Sequence, residues 1–343
     1  MQKKRLEDLL SKFKEQRVLV VGDYYLDGYW EVDQTRSQLS FETPWHVNPV
    51  VAQRYYPGAA GTVVNNLCAL GAGPVHCVGV IGTDAFADML ISKLREEGAA
   101  ADGLIKSDSS ITPIYLKVMY HGIGEIVMEG PRFDFENLKP MSEENIALVI
   151  RQIEKILPKV DAVIIADQVP TANFGVITDE VRKYLLTAAS KMKEVVFYAD
   201  SRTRIGKFKG IVIKPNRFEA KKAVEPDWSG REVDEDEAKR CGIKLAEKRG
   251  NPVFVTIGEK GIIVVEDKKV TIVPGIKVHQ KTDIVGAGDS VTAGIVLSLS
   301  SRASAVEAAT IGNIVGSITI TKLGVTGTAT PEEIISRFEE IKK

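Results

Sequence analysis

The chain has 343 residues, of which 44% are hydrophobic, so it can form one large α/β domain around a sizeable core. Its formal net charge is −1, which argues against nucleic acid or an anionic membrane surface as a partner and fits a cytoplasmic enzyme. Residues 1–16 lack the apolar centre of a signal peptide, and no apolar run approaches the length of a membrane span. The cysteines, Cys68, Cys77 and Cys241, lack metal-type spacing and are expected to be buried free thiols.

Predicted strands and helices alternate along most of the chain. Short apolar runs predict buried strands at 17–21, 75–80, 162–166, 195–199, 211–213, 253–257, 262–265 and 269–274. Longer amphipathic or apolar runs predict helices at 3–13, 85–97, 143–156, 174–192, 290–299, 304–323 and 331–341. This order predicts a single domain over residues 1–343, with a doubly wound, mostly parallel sheet flanked by helices.

Two segments, about 30–56 and 113–130, differ from this pattern because they are rich in aromatic and β-branched residues. In the second segment, apolar residues alternate from Ile114 to Tyr120, and Gly122-Ile123-Gly124 predicts a hairpin turn. We expect the two segments to form a small β-sheet that stands apart from the main one.

The end of the first predicted strand indicates where a ligand would bind. In open α/β sheets, residues just beyond the carboxyl ends of the strands line the ligand crevice. Asp27 follows the strand at 17–21, and its two carboxylate oxygens could accept hydrogen bonds from sugar hydroxyls. The alternative is that Asp27 only forms a turn.

A glycine-rich turn, Gly286-Ala287-Gly288, opens the apolar helix predicted at 290–299. Because this turn has almost no side chains, the first N–H groups of the helix can approach a ligand closely at the positive end of the helix dipole. The turn therefore predicts an anion site suited to a phosphoryl group. Asp289 at its mouth is the candidate general base for an attacking alcohol. Taken alone, the turn fits equally well a helix start capped by an aspartate.

Asn216 and Glu219 lie on the predicted first turn of a helix that follows the strand at 211–213. Residues three apart on a helix face the same way, so this amide and carboxylate could hold the water shell of a Mg²⁺ bound to ATP phosphates. The same spacing fits a capping box, in which the two side chains bond backbone N–H groups of the helix start. The spacing by itself favours the cap.

In chain order, the motifs are a glycine-rich turn, Asn-x-x-Glu, Thr-x-Gly-x-x-Gly and Asp-x-x-Gly-Ala-Gly-Asp, which ends at Asp289. This series resembles the PfkB/ribokinase family of sugar kinases. The resemblance implies a ribokinase-like fold, ATP-dependent phosphorylation of a sugar, ATP and Mg²⁺ as cofactors, and a monovalent cation as a further candidate. It also implies that the small sheet is a lid over the sugar and the interface of a homodimer. A lid keeps water away from the γ-phosphate.

The resemblance implies sugar contacts for Asp27 and for a Gly-Gly-x-x-Asn-x-x-x-Asn signature. This chain matches the signature at Gly58 and Asn66 and departs from it at Ala59 and Thr62. Because a threonine forms fewer hydrogen bonds than an asparagine, the departures leave the sugar pose open. Arg132 is a candidate for holding a phosphate already on the sugar.

The residues that the resemblance assigns to the nucleotide, its phosphates or Mg²⁺ are Asn216, Glu219, Thr256, Gly258, Gly261, Asp283 and Asn313. Glu219 would act on Mg²⁺ through water, and Asp283 would orient the anion-binding loop or touch the phosphates. Asn313 would border the adenine. An ordinary hairpin turn is the alternative for Gly261.

Within the family, the chain is similar to D-glycero-D-manno-heptose 7-phosphate kinases. The matching pieces are 18–23, 26–30, 57–58 with Asn66, 132–136, 286–289 and 327–330. The predicted activity is phosphorylation of a hydroxyl of a sugar or sugar phosphate, by a kinase without a nucleotidyltransferase half. The alternatives are a kinase for another sugar or a nucleoside, and a non-catalytic member that binds sugar or nucleotide.

Overall fold

The computed structural model describes residues 1–122, 124, 126–247 and 250–342. In chain order, its strands are β1 (Val18–Gly22), β2 (Tyr24–Asp33), β3 (Gln38–Leu39), β4 (His46–Val47), β5 (Val50–Ala59), β6 (Val75–Ile81), β7 (Leu104–Lys106), β8 (Ile114–His121), β9 (Val127–Phe135), β10 (Ala162–Asp167), β11 (Val196–Ser201), β12 (Val212–Ile213), β13 (Val253–Thr256), β14 (Gly261–Glu266) and β15 (Lys269–Pro274). Its α-helices are α1 (Lys3–Ser11), α2 (Ala60–Ala69), α3 (Ala85–Glu96), α4 (Glu143–Ile156), α5 (Asp179–Lys191), α6 (Arg217–Val224), α7 (Glu235–Ala246), α8 (Ala287–Ser300), α9 (Ala305–Thr319) and α10 (Pro331–Ile341).

The main sheet has the strand order β15-β14-β13-β12-β11-β10-β1-β6-β7. Neighbouring strands from β13 to β7 are parallel, while β14 and β15 join one edge antiparallel. The order reverses at β1, because the chain builds through β6 and β7 on one side and through β10 to β13 on the other. Ligands of such sheets bind outside the carboxyl ends of the strands at the reversal. The predicted doubly wound, mostly parallel sheet is confirmed.

Helices cover both faces of the main sheet because successive side chains of a strand point to opposite faces. In β1, Val18 and Val20 pack into the core on one face, and Leu19 and Val21 pack into the core on the other. The first core also takes buried residues of α1, α2, α3, α8, α9 and α10, and the second takes those of α4, α5, α6 and α7. Burial on both faces explains why the strands of the sheet centre are continuously apolar.

A second sheet has four strands in the order β5-β2-β8-β9. A single residue, Asp23, lies between the end of β1 and the start of β2, and it therefore joins the two sheets. The buried carboxylate of Asp23 accepts hydrogen bonds from the backbone N–H groups of Gln168, Val169 and Val176 at 2.7 to 3.0 Å. These bonds tie the start of the small sheet to the loop that follows β10.

The strands of the small sheet run further than the predicted segments, 30–56 and 113–130. They begin at Tyr24 and reach Ala59 and Phe135, because β5 pairs along nearly all of β2 and β9 continues its pairing with β8. The predicted turn Gly122-Ile123-Gly124 includes Ile123, which lies outside the described residues.

Smaller differences concern three other elements. Helix α5 begins at Asp179 rather than at 174, because the Thr178 side chain caps it by accepting the N–H of Val181. Strand β7 was not predicted, since its three residues are too few to show a pattern. Helix α9 ends at Thr319, four residues before the predicted end.

Within the described part of the chain, no helix combines the length and the apolar character that crossing a bilayer needs. The predicted free thiols are confirmed for Cys68, Cys77 and Cys241, although Cys68 is half-buried rather than buried.

Candidate active site

The N-terminus of α8 lies beside the ends of β11 and β12. Its N-cap residue, Gly286, has a φ of 76°, in the left-handed region that favours glycine. A Cβ at Gly286 would also overlap the side-chain methyl of Thr326. At Gly288 a Cβ would approach within 4 Å only the Lys214 ammonium, 3.7 Å away, among the described atoms outside the helix backbone. The N–H of Ala287 donates to the carbonyl of Ile284 at 3.2 Å, whereas the next N–H groups of α8, those of Gly288 and Asp289, have no intrahelical partners and border open space next to a cation, as an anion site requires.

Asp289, the candidate general base, is half-buried in the first turn of α8. Its removal from water, and then the negative charge of Asp200, raise the pKa of its carboxyl to about 7, while Lys214 opposes the shift. The negative charge of Asp27 raises the pKa as well. The side chain thus shares its surroundings with charged groups from the strand ends and from the small sheet. Phosphoryl transfer does not require a raised pKa of its general base; here burial raises the pKa of Asp289 most, and the neighbouring carboxylates add to the shift.

Asp200 and Lys214 form a buried ion pair next to Asp289, and sequence analysis did not assign them to the site. The Lys214 ammonium lies 2.9 Å from Asp200 Oδ2, which also accepts a hydrogen bond from Thr292 Oγ1 of α8 at 3.1 Å. Asp200 belongs to the end of β11, and Lys214 directly follows β12. The sequence could have indicated Asp200 and Lys214, because each lies at the carboxyl end of a predicted strand, where ligands of such sheets bind.

Asn216 and Glu219 form the capping box of α6. Asn216 Oδ1 accepts hydrogen bonds from the N–H groups of Phe218 and Glu219, and Glu219 Oε2 accepts one from Asn216 N–H at 2.7 Å. Burial, and then the charge of Asp200, raise the pKa of Glu219 to about 7, opposed by Lys214. The capping box that the spacing favoured is therefore present. The carboxyl group of Glu219 also lies close enough to Asp200 and Lys214 for their charges to change its pKa.

Asp27 lies on β2, with its carboxylate against Gly58 of the neighbouring strand. A Cβ at position 58 would be 2.7 Å from Asp27 Oδ2, so any larger residue there would displace the carboxylate. Burial raises the pKa of Asp27 to about 6, and the positive charges of Lys117 and Arg132 oppose the shift. Asp27 therefore belongs to the same cleft as Asp289, on the side of the small sheet.

Ala59, where the family signature has its second glycine, is the N-cap residue of α2 and has a φ of 53°. A residue with a Cβ rarely adopts this conformation, and holding it costs on the order of 1–3 kcal/mol. The conformation explains why a glycine is usual at this point of the signature.

Thr62 and Asn66 are buried in the packing of α2. Thr62 is 2% exposed, and its hydroxyl donates to the carbonyl of Pro57 at 3.3 Å. Its methyl group lies behind the Gly286 turn. Asn66 is fully buried and donates from Nδ2 to the carbonyl of Thr62 at 2.9 Å. Both side chains thus bond backbone carbonyls in the interior, and their expected contacts with the sugar stay a prediction.

Cationic side chains line the face of the small sheet that carries Asp27. Tyr29 and Asp27 share this face because they are two residues apart on β2. The guanidinium of Arg54 and the ammonium of Lys117 lie 5.2 and 5.8 Å from the Tyr29 ring centre. Arg132 lies 4.5 Å from the ring centre of Tyr115, which pairs with Asp27 in the register. Arg132 also forms a two-pronged ion pair with Asp134.

The residues assigned to the nucleotide lie around the β13–β15 edge and the start of α8. Gly258 and Gly261 have positive φ values in the turn between β13 and β14, and Thr256 pairs with Asn216 in a bridge. Asn313 donates from Nδ2 to the carbonyls of Val273 and Pro274, so its amide anchors the end of β15. Asp283 Oδ1 accepts the N–H of Val285 within its own turn.

Replacing Ala59 with glycine is predicted to stabilise the protein by about 1 kcal/mol, because glycine adopts the left-handed conformation without strain. The free energy of unfolding in urea measures the effect. Ala60→Gly is the matched control: Ala60 is the first residue of α2, where glycine is expected to cost about 1 kcal/mol. Equal losses in the two variants would refute the strain at Ala59.

Comparison with known proteins identifies the family of the chain. The model of the pfkB family carbohydrate kinases matches residues 28–333. The bifunctional protein HldE of Desulfatibacillum aliphaticivorans is 31% identical over 336 residues, covering 96% of this chain and 65% of that protein. The chain therefore spans about 65% of the length of this relative.

Solved structures share the fold. The chain resembles phosphofructokinase-2 of Escherichia coli in complex with potassium with a TM-score of 0.70 and 19% identity, covering 96% of this chain and 100% of that one. Ribokinase of Cryptococcus neoformans in complex with ADP resembles this chain with a TM-score of 0.65 and 18% identity, and the match covers 94% of this chain and 99% of the ribokinase chain. The match to the family model, which spans most of the chain, and these folds lead to one assignment: the chain belongs to the PfkB family of carbohydrate kinases, phosphotransferases with an alcohol acceptor.

Proposed function

We propose that this carbohydrate kinase transfers the γ-phosphoryl group of ATP to a hydroxyl of a sugar phosphate of the heptose 7-phosphate type. The observation that carries the proposal is the position of Asp289, in the first turn of α8 and within electrostatic reach of both Lys214 and Asp27. The sugar would lie between Asp27 and Asp289, and the phosphates would lie at the N-terminus of α8.

Each chain group has one task in the proposed reaction. Asp27 accepts hydrogen bonds from sugar hydroxyls, and the N–H groups of Gly288 and Asp289, which the Gly286–Gly288 turn leaves open, stabilise the negative charge on the transferred group. Asp289 accepts the proton of the attacking hydroxyl as the oxygen–phosphorus bond forms and ADP leaves. The small sheet, which carries Asp27, excludes water from the reacting atoms.

The residues at the strand ends fit a Mg²⁺ held mainly by water and phosphate. Burial, followed by the negative charge of Asp200, raises the pKa values of Glu219 and Asp289, so these carboxyl groups lie where a further cation would be favourable. Among the residues that the structure describes, no group of three or more His, Cys, Asp or Glu side chains forms a direct cage. Such a Mg²⁺ would neutralise phosphate charge, with Glu219 acting through a water molecule. A monovalent cation is a further proposed cofactor.

The charge on the small sheet favours an acceptor that already carries a phosphate. Lys117 and Arg132 both act on the carboxyl group of Asp27, so they lie near the place proposed for the sugar. Arginine and lysine are the usual ligands of phosphate, and a neutral sugar has no need of them. The resemblance to heptose 7-phosphate kinases points to the same acceptor class.

We also propose a cytoplasmic homodimer that forms through the small sheet. Its margin and the adjoining β3–β4 hairpin expose large apolar side chains: Leu39, Phe41, Trp45, Ile126, Val127 and Met128. Exposed apolar residues that cluster in this way are typical of protein interfaces.

Asp289→Asn is predicted to lower kcat by roughly 10²–10⁴-fold and to leave ATP affinity nearly unchanged, because the amide cannot accept the proton. A coupled assay of ADP formation with heptose 7-phosphate measures turnover, and calorimetry measures ATP binding. Asp267→Asn makes the same chemical change at an exposed turn and should have no effect. A near-wild-type rate in Asp289→Asn would remove the general-base assignment. A thermal shift without ADP formation in the wild type would favour a non-catalytic binder.

The kcat/KM for the acceptor is predicted to fall about tenfold per pH unit below about pH 7. The raised pKa of Asp289 means that its carboxyl takes up a proton in this range as the pH falls, and the protonated form cannot act as a base. Because burial raises the pKa of Asp27 to about 6, the fall should steepen below pH 6. Rates measured across this range at constant ionic strength test the prediction, and a flat profile would contradict it.

Lys117→Met and Arg132→Met are each predicted to raise KM for a phosphorylated acceptor by about tenfold or more, with the KM for ATP unchanged. Arg151→Met, an exposed arginine on α4, is the matched control. The rates with a panel of free and phosphorylated sugars provide the readout. Equal preference for free and phosphorylated sugars in the wild type would contradict the proposed acceptor class.

A further inference from the structure

Lys214 is a buried cation that the reaction described above does not use. Its side chain is 4% exposed, and its backbone N–H donates to the carbonyl of Ala199 at 3.1 Å. A buried ammonium is costly unless it is paired. The Asp200 carboxylate pairs with it at 2.9 Å and is itself held by the hydroxyl of Thr292. Burial lowers the pKa of Lys214, but the charges of Asp200 and Glu219 outweigh this and leave the pKa above its usual value. The side chain therefore stays charged.

The ammonium faces the glycine turn of α8. Apart from its chain neighbours Ala287 and Asp289 and the helix backbone, Lys214 Nζ is the only described atom within 4 Å of the position that a Cβ of Gly288 would occupy, at 3.7 Å. An ammonium has three N–H donors, and in the described chain Asp200 is the single carboxylate within ion-pair distance of this one. Donors thus remain for a ligand in the space that the missing Gly288 side chain leaves open.

We propose that Lys214 is a catalytic residue whose ammonium contacts the transferred phosphoryl group, and that Asp200 and Thr292 are positioning residues that aim it. The inference deepens the proposed function and rests on it. During transfer, the bond between the γ-phosphorus and the bridging oxygen of ADP breaks, and the acceptor oxygen forms the new bond to phosphorus. The acceptor proton goes to Asp289. Lys214 keeps its proton and stabilises the charge on the equatorial oxygens together with the N–H groups of α8.

The arrangement also gives a reason for the ion pair. A lysine side chain is a flexible four-carbon chain, so without a partner its ammonium would sample many positions. Asp200 holds the ammonium from the side of the sheet, and Thr292 of α8 holds Asp200. The same helix therefore supplies the N–H groups and fixes the cation, which keeps both parts of the anion site in register.

Nucleotide binding to Lys214→Met tests the contact, because the γ-phosphoryl group distinguishes a triphosphate from a diphosphate. Calorimetry with Mg²⁺ and either the non-hydrolysable analogue AMP-PNP or ADP should show about 10- to 100-fold weaker binding of AMP-PNP and nearly unchanged binding of ADP. The kcat should fall by about 10²–10³-fold. Lys221→Met is the matched control. Lys221 is a buried lysine of α6, away from the glycine turn, and it pairs with Glu225, which follows α6, and with Glu237 of α7. Its loss should leave the ratio of the two affinities unchanged.

A second variant protects the test against misfolding. Lys214→Gln combined with Asp200→Asn removes both charges, so no uncompensated charge remains in the interior, and the same loss of AMP-PNP preference is expected. Asp200→Asn alone should lower kcat more than it raises the KM for ATP, since a poorly aimed ammonium still attracts phosphate. An unchanged AMP-PNP to ADP ratio in the folded variants, with an active wild type, would overturn the role of Lys214. A wild type that phosphorylates no acceptor would instead overturn the proposed function.

Discussion

One ammonium held among three carboxylates at the open end of a helix is the interaction on which the site depends. The positive charges of Lys214 and Arg202 face the negative charges of Asp200, Glu219 and Asp289. Burial, followed by the charge of Asp200, raises the pKa values of Glu219 and Asp289 to about 7, while the two cations oppose the shift. The same negative charges would favour binding of a nucleotide together with Mg²⁺.

The fold creates this cluster of charges by bringing together residues that are distant in sequence. Strands β11 and β12 end side by side, which places Asp200 next to Lys214, and α8 packs against them through Thr292. The reversal of strand order at β1 leaves a crevice at the same edge. Because Asp23 alone joins β1 to β2, the small sheet that carries Asp27 starts at this crevice. The groups that we propose for catalysis and for sugar binding therefore meet without any long connecting loop.

Sequence analysis recovered the fold and the features that depend on local spacing. The alternation of strands and helices predicted the main sheet, and the Gly286-Ala287-Gly288 turn predicted the helix end beside Asp289. The Asp200–Lys214 pair was missed because two residues from separate strands meet only in the folded chain. The burial of Asn66 could not be predicted either, because a motif does not show which way a helix is rotated. Asn216 and Glu219 show a third case, since one spacing serves both a cap and a site.

A crystal structure with Mg²⁺, ADP and aluminium fluoride, which imitates the transferred phosphoryl group, tests the central claim most directly. The account predicts fluoride atoms within hydrogen-bond distance of the Gly288 and Asp289 N–H groups and of the Lys214 ammonium. It also predicts that the carboxylate of Asp289 faces the open side of the fluoride, where an acceptor hydroxyl would attack. Fluoride bound away from the N-terminus of α8, or an Asp289 side chain turned out of the cleft, would contradict the account.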